Sequence, residues 1–250
     1  MNWRDLVLVV VSFAAGAQNA LAGGGSFLTF PALLFAGLDP RAANITSTIA
    51  LFPGQVTTGL AGRNLVMGAA GLGFGGLFGI SLVGGALGAV LLLVTPPGVF
   101  ARMVPFLVLF ATIVFAWGSF VRRSTREGAT ARLGRRSAII VQFMISIYGG
   151  YFGGGIGILM LAALTAAGVA VRHAGATKNV LAGVMNASAV AVFLTEARVA
   201  WDLVAYVAVA AIAGGLLGVF MLRRINETVL RAGVVAIGLA LTIGLFITMP

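Results

Sequence analysis

Residues 23–48 read GGGSFLTFPALLFAGLDPRAANITST, and residues 153–179 read GGGIGILMLAALTAAGVAVRHAGATKN. The two stretches align end to end, given one extra residue in the second, so that Arg41 falls on Arg172 and Thr46 on Thr177. Each triple glycine sits past the middle of a long apolar segment, 5–37 or 137–169. A straight helix of that length would run about 50 Å, against a hydrocarbon core of about 30 Å. Glycine costs a helix about 1 kcal/mol per position, and three in succession break it. The expected object is a hairpin, in which a longer arm enters the membrane, the chain turns at the glycines and a shorter arm returns.

The rest of the chain agrees with a membrane setting. Of 250 residues, 60% are hydrophobic and only 9% charged, and the mean hydropathy is +1.09. Soluble domains carry roughly 25% charged residues, and a soluble fold of this size has to expose a large part of its surface. Six further apolar segments, 42–62, 68–94, 100–121, 174–195, 203–222 and 228–249, read as spans. GGALGA at 84–89 repeats as GGLLGV at 214–219. The expected fold is an all-α integral membrane protein of two inverted repeats, each a glycine-broken helical hairpin plus three transmembrane helices. Residues 1–121 form the first repeat, 122–136 a basic cytoplasmic linker and 137–250 the second repeat.

Charge sets the orientation. The 122–136 loop, RRSTREGATARLGRR, carries six arginines and one glutamate. With it in the cytoplasm, twelve of the sixteen Lys and Arg residues fall on that side, leaving Arg4, Arg41, Arg102 and Arg198 outside. Both termini are then outside. The N-terminal stretch has the composition of a secretory signal, but it runs without pause into the first repeat.

Several function classes are excluded. There is no cysteine, and His173 is the single histidine, so no thiolate or histidine-cluster metal site is expected. All six acidic residues lie in or beside connections, which removes the usual intramembrane acidic proton relay. No P-loop and no nucleophile–base pair is present, so neither catalysis nor a cofactor is expected. The net charge of +10 is spread between apolar runs as an orientation signal, and no nucleic-acid partner is expected. The expected partners are a small anionic substrate and membrane lipids. Neither pattern specifies an oligomeric state.

The breaks carry the expected site. A helix that restarts inside a membrane presents unpaired N–H groups and the positive end of its dipole, and glycines let an anion approach the backbone. The substrate-binding candidates at the breaks are Gly23, Gly24, Gly25 and Ser26 on one side, and Gly153, Gly154 and Gly155 on the other. The bland alternative for these glycines is close packing or a plain turn. Gly71, Gly75, Gly79, Gly84, Gly85, Gly88, Gly214 and Gly218 are assigned to packing. A second candidate cluster is Thr46, Ser47, Thr177, Lys178 and Asn179, early in the helices that follow each hairpin. Lys178 either draws anions into an inner vestibule or snorkels to headgroups, and the hydroxyls either bind substrate or bond back to their helices. Asn19 and Tyr151 precede the two breaks and complete the set. Gln18, Gln55, Gln142, Tyr148 and Asn186 are further intramembrane polar residues, for which interhelical hydrogen bonding is the plainer role.

On the two glycine motifs and the later GGALGA and GGLLGV, the chain resembles the TauE/SafE sulfite exporter family of membrane permeases. The resemblance implies an inner-membrane protein of about eight helices that moves sulfite, sulfonates or related sulfur-containing anions. Pro31 matches the family's proline after the first motif, whereas the second copy has Leu161. The expected function is a secondary transporter or facilitator exporting such an anion across the bacterial inner membrane. A passive anion channel and a non-transporting partner of a sulfur-metabolism enzyme are the alternatives. An anion leaving an inside-negative cell gains about 2.3 kcal/mol per charge per 100 mV. Electrogenic export without a coupled ion is therefore expected.

Overall fold

The structure is a computed structural model and describes residues 3–21, 24–118, 133–195, 199–221 and 227–248. Gly23, residues 122–132 of the linker and both chain ends lie outside them. Among the described residues ten α-helices follow one another: α1 Trp3–Leu21, α2 Ser26–Phe35, α3 Pro40–Ala61, α4 Phe74–Val94, α5 Pro97–Ala116, α6 Arg135–Tyr151, α7 Ile156–Ala166, α8 Val171–Phe193, α9 Trp201–Met221 and α10 Glu227–Thr248. No strand forms among the described residues. Among the described residues, two helices, α4 and α5, are each long and apolar enough to cross a bilayer by length and composition alone.

Both long apolar segments are divided where the glycines stand. Helix α1 stops at Leu21 and α2 starts at Ser26, and α6 stops at Tyr151 and α7 starts at Ile156. Gly24 has φ +87° and Gly153 φ +79°, a left-handed conformation that side chains with a Cβ adopt only with strain. The outer ends of each hairpin meet. Trp3 packs edge-on against Phe35, with ring centroids 5.4 Å apart, and the Leu133 N–H donates to the Ala166 carbonyl (3.3 Å).

The two short arms also end alike. Gly37 N–H donates to Leu34 O (3.0 Å) and Leu38 N–H to Leu33 O (3.1 Å), while Gly168 N–H donates to Thr165 O (3.0 Å) and Val169 N–H to Leu164 O (3.1 Å). This double bond pattern satisfies carbonyls that the helix end leaves unpaired. Helix α3 then starts on Asp39, whose carboxylate accepts from Arg41 N–H and Ala42 N–H, a cap worth about 1 kcal/mol. Helix α8 has no side-chain cap.

Packing joins helices across the midpoint of the chain. Helix α1 lies along α9, α4 along α6 and α8, α3 along α8 and α9, and α5 along α10. Glycines set the closest crossings. A Cβ on Gly16 would lie 1.9 Å from Ala211 O, and one on Gly214 would lie 1.9 Å from Phe13 O. On α4, a Cβ at Gly88 would meet Ile147 O at 2.1 Å. The packing role assigned to Gly84, Gly85, Gly88 and Gly214 therefore holds, whereas Gly71, Gly75 and Gly79 face open space and have no such role. Nothing is described around Gly218. Gly214→Val should cost at least about 1–3 kcal/mol by overpacking the α1–α9 seam. The expected result is a lower melting point and a smaller monodisperse peak in detergent, with Gly75→Ala as the neutral control.

Candidate functional site

The two breaks share one buried cavity of about 40 Å³, room for about three water-sized groups. Gly24 and Ser26 reach it from the first break, and Gly153, Ile156 and Gly157 from the second. Among the described residues, the N–H groups of Gly24, Gly25 and Ser26 have no acceptor, nor do those of Gly154, Gly155, Ile156 and Gly157. These are the donors that the first turn of a helix leaves over. Both short helices thus direct the positive ends of their dipoles to this region.

Helices α3 and α8 supply the polar side chains. Thr48, Gln55 and Thr58 come from α3, and Lys178, Asn179 and Asn186 from α8. Asn186 Nδ2 donates to Gln55 Oε1 (2.5 Å), tying the two helices together. Lys178 lies about two turns into α8. It is 6% exposed, which rules against a side chain snorkelling to the surface. No described acidic side chain pairs with it, and no cavity residue is acidic.

A wider space of about 570 Å³ adjoins the cavity and shares Asn19, Leu51, Thr58 and Asn179 with it. Leu65 and Arg172, beside the connection between α3 and α4, are among the residues that line it. That face is held together by His173 Nδ1 and the Leu65 carbonyl (2.9 Å) and by Met67 N–H donating to Thr177 Oγ1 (3.0 Å). On the other side, aromatic rings close the cavity off. Phe30 and Phe152 stack edge-on at 5.6 Å, Phe27 and Phe115 at 5.6 Å, and only about 10 Å³ remains between Ser26, Phe30 and Phe152.

Of the residues singled out in the sequence, Asn19, Gly24, Ser26, Gly153, Lys178 and Asn179 come together here. Gly23 lies outside the described residues, and the remaining binding candidates do not line the cavity. Gly25 lets the break pack on α1, where a Cβ would stand 2.7 Å from Ala15 O. Gly154 and Gly155 pack against Ala111 of α5. Ser47 shares a hydrogen bond with Thr29 (2.6 Å) that ties α3 to α2. Thr177 pins the α3–α4 connection through Met67, and Thr46 is buried with no partner among the described residues. Tyr151 turns its hydroxyl to Met103 Sδ (3.5 Å), in a lateral apolar groove between α4, α5 and α6. Sequence reasoning missed Thr48 and Thr58. It also missed Asn44, whose amide donates to Tyr151 O (2.9 Å) and so satisfies a carbonyl at the end of α6.

Comparison with known proteins identifies the family. Residues 8–245 match the sulfite exporter TauE/SafE family. The chain belongs to that family. A relative named probable membrane transporter protein, from Haemophilus influenzae, is 28% identical over 94% of this chain and 92% of its own length. Probable membrane transporter protein ORF9 of a Sinorhizobium species is 31% identical over 78% of this chain and 74% of its own. Probable membrane transporter protein YfcA of Escherichia coli K12 is 27% identical, with coverage of 78% and 72%. No solved structure matches the chain significantly. Membership of TauE/SafE places the protein among membrane transporters, in keeping with its all-helical, apolar architecture.

Proposed function

We propose that this TauE/SafE protein is a secondary transporter that exports a small sulfur-containing oxyanion, sulfite or an organosulfonate, across the bacterial inner membrane. The observation that carries the reading is Lys178, a buried cation without an acidic partner among the described residues, in a cavity bounded by two helix starts. An oxyanion there takes hydrogen bonds from Gly24, Ser26, Ile156 and Gly157 N–H, from Asn19 and Asn179, and a charge-assisted one from Lys178. Gly25, Gly154, Gly155, Ser47, Thr177 and Tyr151 shape and brace the wall. The cavity of about 40 Å³, room for about three water-sized groups, restricts the substrate to a small anion.

The repeats 1–121 and 137–250 are inverted relative to each other in this reading, with both termini outside and the 122–136 linker cytoplasmic. Packing supports it: α1 with α9 exchanges into α6 with α4 when the halves are swapped, and α3 with α9 into α8 with α4. So does the placement of the site between broken helices at a repeat interface, the usual arrangement of inverted-repeat transporters. The wide space then faces the cytoplasm, with Arg172 at its mouth. The rings of Phe30 and Phe152 across the far side favour a carrier over a channel. Flux into proteoliposomes with sulfite, thiosulfate, sulfate and small sulfonates tests the reading. Saturable flux of at least one sulfur anion is expected, and no flux of any overturns it.

A further inference from the structure

We propose that Lys178 makes the carrier an anion exchanger, because the site reorients when a bound anion neutralises the lysine and stays in place without one. The inference rests on the transport reading above and goes to its mode. Around the ammonium stand Asn19, Thr48, Gln55, Thr58, Asn179 and Asn186, all neutral, and none of them titrates. Asn186 and Gln55 are engaged with each other. Of the acids, Asp39 caps α3 and Asp202 sits in the first turn of α9, each at a helix end. The protein supplies no counter-charge to Lys178 among its described residues.

In the present arrangement the space of about 570 Å³ joins the cavity through Asn19, Thr58 and Asn179, and water in it can screen the ammonium. Presenting the cavity to the opposite face requires that this space close while the rings of Phe30 and Phe152 part. The carrier then passes through an enclosed state in which Lys178 is cut off from water. An enclosed ammonium without a partner is strongly unfavourable, whereas one paired with a hydrogen-bonded anion is not. A monoanion and Lys178 sum to zero charge. The loaded carrier therefore crosses readily and the unloaded one does not. The return trip needs a second small oxyanion, since the same cavity must accept it. The placement of acids alone suggested uncoupled export, and the placement of Lys178 replaces this with exchange.

The test uses the purified full chain in liposomes loaded with radiolabelled sulfite, and in parallel with methanesulfonate, under a potassium-clamped voltage. Efflux is followed with and without the same anion outside. The expected result is efflux about tenfold or more faster with anion outside. Lys178→Met should bring the two rates together at saturating anion, and Lys178→Arg should keep them apart. Equal rates for the parent protein overturn the exchange inference and leave the transport reading standing. A Lys178→Met variant that keeps the full stimulation overturns the role of the lysine. No efflux of either anion under any condition overturns the transport reading and this inference with it.

Discussion

Lys178→Glu abolishes anion flux, with a loss of a hundredfold or more. The substitution places a second negative charge where the anion binds and removes the one cationic group among the described residues of the cavity wall. Losing a buried charge partner costs about 2–5 kcal/mol, and tenfold in affinity corresponds to about 1.4 kcal/mol. Lys178→Gln keeps a donor and a similar length, so its half-saturating concentration rises about tenfold or more while the maximal rate changes less. Folding should survive in Lys178→Gln, because an unpaired buried ammonium does not stabilise the helix that carries it. Initial rates in proteoliposomes over a range of sulfite concentrations, normalised to reconstituted protein, provide the check. Parent-like kinetics in both variants would remove Lys178 from the site.

Gly153→Val and Gly24→Val each stop transport by changing the break itself. At φ +79° and +87°, a β-branched residue is strained by about 1–3 kcal/mol, and the chain relieves this by rotating the backbone. The two positions differ in space. A Cβ at Gly24 would lie 3.2 Å from the Phe27 ring, whereas at Gly153 its only near neighbour is Gly149 O at 3.3 Å. Gly153→Val should therefore stay monodisperse in detergent and lose flux, while Gly24→Val also loses thermal stability. Gly153→Ala, with a smaller side chain, should keep part of the flux. Normal flux in both valine variants would mean that the breaks are turns and nothing more.

The breaks were legible in the sequence because glycine has a direct backbone meaning: three in succession cannot continue a helix in hydrocarbon, and both helices stop at them. The hydroxyl cluster was less legible. Thr46, Ser47 and Thr177 look like a polar site by composition, yet a helix presents neighbouring residues to different sides. Ser47 meets Thr29 and Thr177 meets Met67, while Lys178, one residue on, lines the cavity. The signal that separates them was spacing. Lys178, Ala182 and Asn186 recur at intervals of four, and Thr48, Leu51, Gln55 and Thr58 at intervals of three and four, each set tracing one helical face. Gly75 and Gly79 show the limit of the opposite inference, since both face open space on α4, whereas Gly84, Gly85 and Gly88 meet α6 or α8.

The most direct test of the central claim, that an anion is held between the two breaks against Lys178, is anomalous diffraction from crystals soaked in selenite, a heavier analogue of sulfite. One selenium peak is expected in the cavity bounded by Gly24, Ser26, Gly153 and Lys178, and no peak there in Lys178→Glu. A peak only elsewhere, or none in the cavity at saturating selenite, would contradict it.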